Sequence, residues 1–114
     1  MHYDPNFADS AATGPFGDIV LGPRAFKSWS WLGSTLGHEI EVHWAQFKAL
    51  GPLTGDQDRF LRELEAHRYN LANAARFGNP FYEVARHRSY EQRYYNALNE
   101  VSREKAARGK YHGE

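Results

Sequence analysis

The sequence predicts an α+β fold that is mostly α: a short N-terminal strand or hairpin followed by three helices. Three observations carry this. Gly17-Asp18-Ile19-Val20-Leu21-Gly22-Pro23 is a brief apolar, β-branched run bounded by glycines, which suits a strand of about five residues. Between Leu32 and Leu50, and in two later stretches, apolar side chains recur at three- and four-residue steps, the signature of helices with one buried face. Gly51-Pro52 and Gly78-Asn79-Pro80 punctuate those stretches and separate the helices.

At 114 residues the chain is expected to form one domain, over residues 17–108, with an irregular lead-in at 1–16 and a flexible tail at 109–114. Its formal net charge is zero and neither end carries a basic block, which argues against nucleic acid and anionic membrane surfaces as partners. No apolar run approaches the roughly 20 residues of a membrane span. Met1-His2-Tyr3-Asp4-Pro5 lacks the charged start and apolar centre of a signal peptide. With no cysteine there is neither a disulfide nor a thiol nucleophile, so any metal site must be built from His, Asp and Glu.

Taken in order, Arg24–Lys27 reads as a second short strand or a loop. Ser30 is the expected N-cap of a first helix over about 31–49, with Leu32, Leu36, Ile40, His43, Phe47 and Leu50 as its buried stripe. Thr54-Gly55-Asp56-Gln57 has the form of a capping box for a second helix. That helix is expected to reach Phe77 with Phe60, Leu61, Leu64, Leu71, Ala74 and Ala75 inward. Asn79-Pro80 supplies an N-cap and a first-turn proline for a third helix, which runs to about Arg108 with Ser89 as its candidate break point. Tyr90, Tyr94, Leu98 and Val101 form its stripe. Trp29, Trp31, Tyr94 and Tyr95 either fill a core, the commoner use of aromatics, or line a cleft.

Within the first helix, His38-Glu39-Ile40-Glu41-Val42-His43 gathers two imidazoles and two carboxylates. Zinc peptidases commonly write His-Glu-x-x-His, because residues four apart on an α-helix share a face and bind one metal together. Here the second histidine comes one residue late. Five regular α steps turn through about 500°, which would point His43 roughly 140° away from His38. A π-bulge over this segment would bring the two rings back to one side. His38 and His43 would then be metal ligands, with Glu39 beside them as a general base that takes a proton from a polarised water. Taken singly, His43 lies in phase with the apolar stripe and reads as a core histidine, and His38 reads as a surface residue. The second helix adds Glu63 and His67, four apart on one face. Glu63 is the candidate third ligand and Glu65 its alternative. His67 or Tyr69 would orient a ligand or polarise substrate. The competing reading of this segment is a solvated Glu/Arg face. Ile19-Val20-Leu21 could present a strand edge to an extended peptide, or simply pack on the helices.

Strand, loop, helix with His-Glu, then helix with Glu-x-x-x-polar resembles the layout of the glutamate-zincin metallopeptidases. Their second-helix pattern is usually Glu-x-x-x-Asp, where this chain has Glu63 and His67. The His-Glu-x-x-x-His spacing is similar to that of dipeptidyl peptidase III, in which the first glutamate is the base. More specifically, Phe16 to Phe26, Ser34 to His43, and Glu65-Ala66 through Asn73 to Gly78 resemble the metallopeptidase toxin domains at the C-termini of bacterial Rhs-repeat proteins. The likeness covers about residues 16–100. It implies a minimal zincin-like fold, one zinc ion, and a protein or peptide substrate. It further implies that the chain is secreted as part of a larger effector, acts inside a competing cell, and is neutralised in the producer by an immunity protein. Two other readings remain open at this point: a nuclease toxin, or a non-enzymatic helical interaction module.

Overall fold

The computed structural model describes residues 1–109 and 111, and it is α+β and mostly α. Three short strands, β1 (His2–Tyr3), β2 (Ala11–Thr13) and β3 (Ile19–Leu21), form one sheet in the order β1-β3-β2. β1 runs parallel to β3 and β2 antiparallel to it, with Thr13 opposite Ile19 and Ala11 opposite Leu21. The stretch 1–16 is therefore not an irregular lead-in. Strands of two and three residues are too short to show an alternating pattern, and only their pairing with β3 defines them. Ile19 and Leu21 point inward onto Ala25, Leu32 and Leu36, while Val20 is half-buried. Pro23–Phe26 is a single 3-10 turn.

The first long helix consists of α1 (Trp29–Leu36), a π-bonded segment over Gly37–His43, and α2 (Trp44–Leu50). Its N-cap is Ser28, whose Oγ accepts from the Trp31 N–H at 3.0 Å. Ser30 is not the cap; its hydroxyl donates instead to the buried Glu83, at 2.7 Å. α3 spans Asp56–Ala72 and starts from Gly55 at φ +153°, without the expected capping box. The Thr54 N–H donates to Asp58 Oδ2 at 3.0 Å, and Gln57 turns to the backbone of Asn99 and Ala97. Asn73 ends α3 and α4 (Ala74–Phe77) follows, so the second helix is broken before Phe77. Asn73 Nδ2 donates back to the Tyr69 carbonyl, a local bond of the kind that competes with helix continuation. α5 covers Phe81–Ala97 without a break at Ser89, and Pro80 is its cap. The interruption comes at Leu98-Asn99, where the Asn99 side chain accepts from the Ser102 N–H and starts α6 (Glu100–Ala107). That shift in phase leaves Val101 exposed where the unbroken stripe would have buried it. Among the described residues no helix is long and apolar enough to cross a membrane.

The larger core joins α3, α5 and α6 through Leu61, Leu64, Leu98 and Ala106, with Phe60, Tyr94 and Tyr111 against it. Tyr111 is thus held where a flexible tail was expected: its N–H donates to Glu65 at 2.7 Å and its hydroxyl to Asp58 Oδ1 at 2.8 Å. Positions 110 and 112–114 of that tail lie outside the described residues. Asp58 also pairs with the buried Arg62. Burial pushes the Asp58 carboxyl up, but bonds from Arg62, Tyr111 and Thr54 outweigh it and hold its pKa below the usual value. A depressed folded-state pKa gives stability that is present above the unfolded value near 4 and is lost as pH falls through the folded one. Asp58→Asn should therefore cost about 3 kcal/mol at neutral pH, the order expected when a buried ion pair loses one partner. The gap from the parent chain should narrow below pH about 4, where the parent's carboxylate is itself being protonated. Urea unfolding at neutral and acid pH measures both; an unchanged gap would contradict the account.

Candidate metal centre

Five-residue bonding brings the late histidine into place. The Trp44 N–H donates to the Glu39 carbonyl, five residues back, at the end of the π segment. With bonds spaced this way five residues complete about one turn, and His38 and His43 face the same side. Their Nε2 atoms are 3.0 Å apart. Glu63 Oε1, brought in from α3, lies 3.2 Å from His38 Nε2 and 2.9 Å from His43 Nε2. The rotation buries His38 and Glu39 and leaves Ile40 exposed, the reverse of the regular stripe. Gly37 opens the segment where space is tight. A Cβ there would stand 2.8 Å from Phe77 Cζ and 2.9 Å from the Tyr69 hydroxyl.

Two carboxamides fix the protons on these rings. The fully buried Asn70 donates through Nδ2 to the Ser34 carbonyl at 2.9 Å, so its Oδ1, 2.7 Å from His38 Nδ1, must be the acceptor there. Gln46, equally buried, donates through Nε2 to the Arg62 carbonyl and Glu65, leaving Oε1 to accept from His43 Nδ1 at 2.8 Å. Both imidazoles are therefore protonated at Nδ1, and both present an Nε2 lone pair to the other and to the Glu63 carboxylate. Three electron pairs at these separations require a cation among them. In the metal-free protein a proton serves: burial pushes His43 down, but the Glu63 charge and hydrogen bond outweigh it and lift the pKa to about 9. Burial would raise Glu63, yet His43 and His38 hold it well below the usual carboxylate range. A metal-ligating imidazole usually donates its other N–H to an acceptor that fixes the ring, and the Asn70 and Gln46 oxygens are placed to do so. Replacing Asn70 by Leu should lower metal affinity about 10- to 100-fold, measured by chelator competition; unchanged affinity would show that Asn70 does not aim the His38 ring.

Around this cluster, Glu39 Oε1 accepts from the Thr13 hydroxyl at 2.7 Å, and Oε2 stands 3.9 Å from His38 Nε2. His67 packs edge-on to His38 and stacks on Tyr90, with its Nδ1 3.2 Å from His87 Nδ1. Burial, then the neighbouring His38, drives His67 down to about 2; burial first also takes His87 down to about 4. Both rings are therefore neutral. Two sets of three donors lie close enough to hold a metal ion: His38, Glu39 and His43, and His38, Glu63 and His67. All of these residues line one cavity of about 650 Å³, with β2, α3 and α5 in its walls.

The chain matches no family model, no curated protein and no solved structure. The chemistry of the site must be argued from its own atoms. Of the residues expected there, His38, Glu39, His43, Glu63 and His67 meet at the cavity. Three expectations fail. Tyr69 is turned away, its hydroxyl donating to Glu41 and its ring against Phe77, because it lies two positions past His67 on α3 and so on another face. Glu65 accepts from Gln46 at 2.8 Å and from the Tyr111 N–H at 2.7 Å and is not among the residues that line the cavity. Ile19-Val20-Leu21 cannot present an edge, since β3 is the central strand with β1 and β2 on either side; the edge at the cavity is Ala11–Thr13. Asn70, Gln46, Thr13 and His87 were not anticipated. Asn70 had a readable signal, as Glu63, His67 and Asn70 fall at i, i+4 and i+7 on one helical face.

Proposed function

We propose that this chain is a zinc-dependent hydrolase, a metallopeptidase in which His38, His43 and Glu63 hold one zinc ion and Glu39 is the general base. The observation that carries it is the meeting of two Nε2 lone pairs and a carboxylate oxygen at 2.9–3.2 Å, across a helix whose bonding departs from α only there. Two imidazoles and one carboxylate are a usual protein donor set for catalytic zinc, and ligand atoms about 2.0–2.1 Å from one tetrahedral ion stand about 3.3 Å apart. When bound, the ion would acidify a water and polarise a carbonyl. Glu39 is fit to move the proton: Thr13 ties down Oε1 and leaves Oε2 toward the cluster. It would accept a proton from the attacking water and pass it to the leaving amine. The free edge of β2, Ala11–Thr13, runs along the cavity and suits an extended peptide added as a further strand. His67, neutral and beside His38, would orient the cluster or the substrate carbonyl. The π-bonded turn over Gly37–His43 is a rare departure from α bonding that is frequent at functional sites, which favours this reading over a helical interaction module.

On the resemblance to Rhs-associated toxin domains, the setting we propose is a secreted bacterial effector acting inside a target cell, with a cognate immunity protein in the producer. Two tests fit together. Purified protein is expected to cleave an unstructured protein substrate in a chelator-sensitive way, and its expression inside bacteria is expected to arrest growth. Degradation of cellular DNA or RNA without peptide cleavage would favour the nuclease instead.

A further inference from the structure

We infer that the cleft over the histidine–glutamate cluster selects an acidic peptide, one with carboxylate side chains flanking the reacting bond. The inference rests on the peptidase reading for its substrate and on a separate observation for its charge. Five cationic side chains, Arg24, Lys27, Arg59, Arg86 and Arg93, line the cavity. All five are exposed, and none is in an ion pair among the described residues. The sixth, Arg62, is taken up by Asp58. Against them the cavity sets three acids: Glu39 and Glu63, which belong to the cluster, and Asp9. The whole chain has a formal net charge of zero, so this excess of positive charge is local to the cleft.

The fold assembles that charge from three separate elements. Arg24 and Lys27 come from the 3-10 turn and its end, Arg59 from the first turns of α3, and Arg86 and Arg93 from α5. Seven residues apart on a helix is about two turns, so the last two share a face. Aromatic rings steady several of the heads: Lys27 Nζ is 4.4 Å and Arg86 Cζ 5.7 Å from the Trp31 ring centre, and Arg93 Cζ is 5.3 Å from that of Tyr90. Unpaired cations collected in one concave wall repel one another and raise the local concentration of anions. A peptide fits better than a nucleic acid for two reasons. The free backbone edge of β2 recognises an extended main chain, and a chain without net positive charge lacks the broad field that a polyphosphate requires.

The test measures binding on the full chain carrying Glu39→Gln, so that bound peptide is not cut. Three labelled probes are compared by fluorescence anisotropy: a Glu-rich peptide, its Gln-for-Glu counterpart, and a single-stranded DNA oligonucleotide of the same charge. The Glu-rich peptide is expected to bind at least about tenfold tighter than its neutral counterpart at low salt, with the ratio shrinking as salt rises. Adding Arg86→Glu and Arg93→Glu together should abolish the preference, and Arg59→Glu alone should reduce it; far-ultraviolet circular dichroism checks that each variant is folded. Equal binding of the two peptides, or tighter binding of the oligonucleotide, would overturn the inference. Cleavage by the zinc-loaded parent chain is followed in parallel. Acid-selective binding with no peptide cut would remove the peptidase reading and keep the binding preference. Cleavage of both peptides with equal kcat/KM would do the opposite.

Discussion

If the chain is the zinc hydrolase we propose, Glu39→Gln is expected to keep the metal and lose about 10³-fold in kcat, within the range that a positioned general base contributes. The substitution is nearly isosteric. A glutamine Oε1 can still accept from Thr13, which holds the present carboxylate at 2.7 Å, so the wall of the cavity should stay in place. What disappears is the proton acceptor at Oε2. The experiment also separates two ways of using the cluster, since Glu39 belongs with His38 and His43 to one of the two sets that could hold an ion. Lost metal in Glu39→Gln would move Glu39 into the ligand set and leave the base to be found elsewhere. Retained metal with retained turnover would remove Glu39 from the chemistry altogether.

Glu63→Ala should weaken metal binding by more than about a hundredfold, beyond the range seen for residues that only orient a ligand. Its Oε1 lies within 3.2 Å of both Nε2 atoms, and without it two lone pairs face each other 3.0 Å apart. Glu65→Ala is the control. Glu65 accepts from Gln46, which in turn aims His43, so its loss should cost about tenfold or less. Chelator competition on both variants gives the comparison. Equal losses would mean that the carboxylate at 65 moves inward when an ion binds. The metal-free variant gives a second sign of the same contact. Glu63 lifts His43 to about 9 against the effect of burial, so removing it should drop that titration, followed by the imidazole proton resonance.

The fold class was legible because helical periodicity is strong over long stretches, and because Ile19-Val20-Leu21 is bounded by glycine and proline. The helix starts were less so. Ser28 and Ser30 are equally good caps in isolation; in the fold both hydroxyls donate to Glu83, more than fifty positions away, and it is Ser28 whose Oγ also accepts from the Trp31 N–H. The break at Leu98-Asn99 escaped notice because Leu98 and Val101 continue a plausible stripe, although the Asn99 cap turns Val101 out to solvent. The π segment could be read from chemistry alone: two histidines five apart share a metal only if one residue is inserted in the turn. Its neighbours could not. Thr13 reaches Glu39 from a strand of three residues, and His87 comes in from α5 against Trp31, contacts that exist only once the chain is folded. Gln46 was within reach, since it lies three residues after His43 and a helix brings such positions together.

The central claim is most directly tested by the zinc content of the purified chain, beside a His38→Ala/His43→Ala variant treated identically. The account predicts close to one zinc per parent chain and none in the variant, with the fold retained in both. Zinc absent from the parent, and no change in its stability on adding the ion, would contradict it. His43 would then carry a proton at Nε2 and donate it to the Glu63 carboxylate.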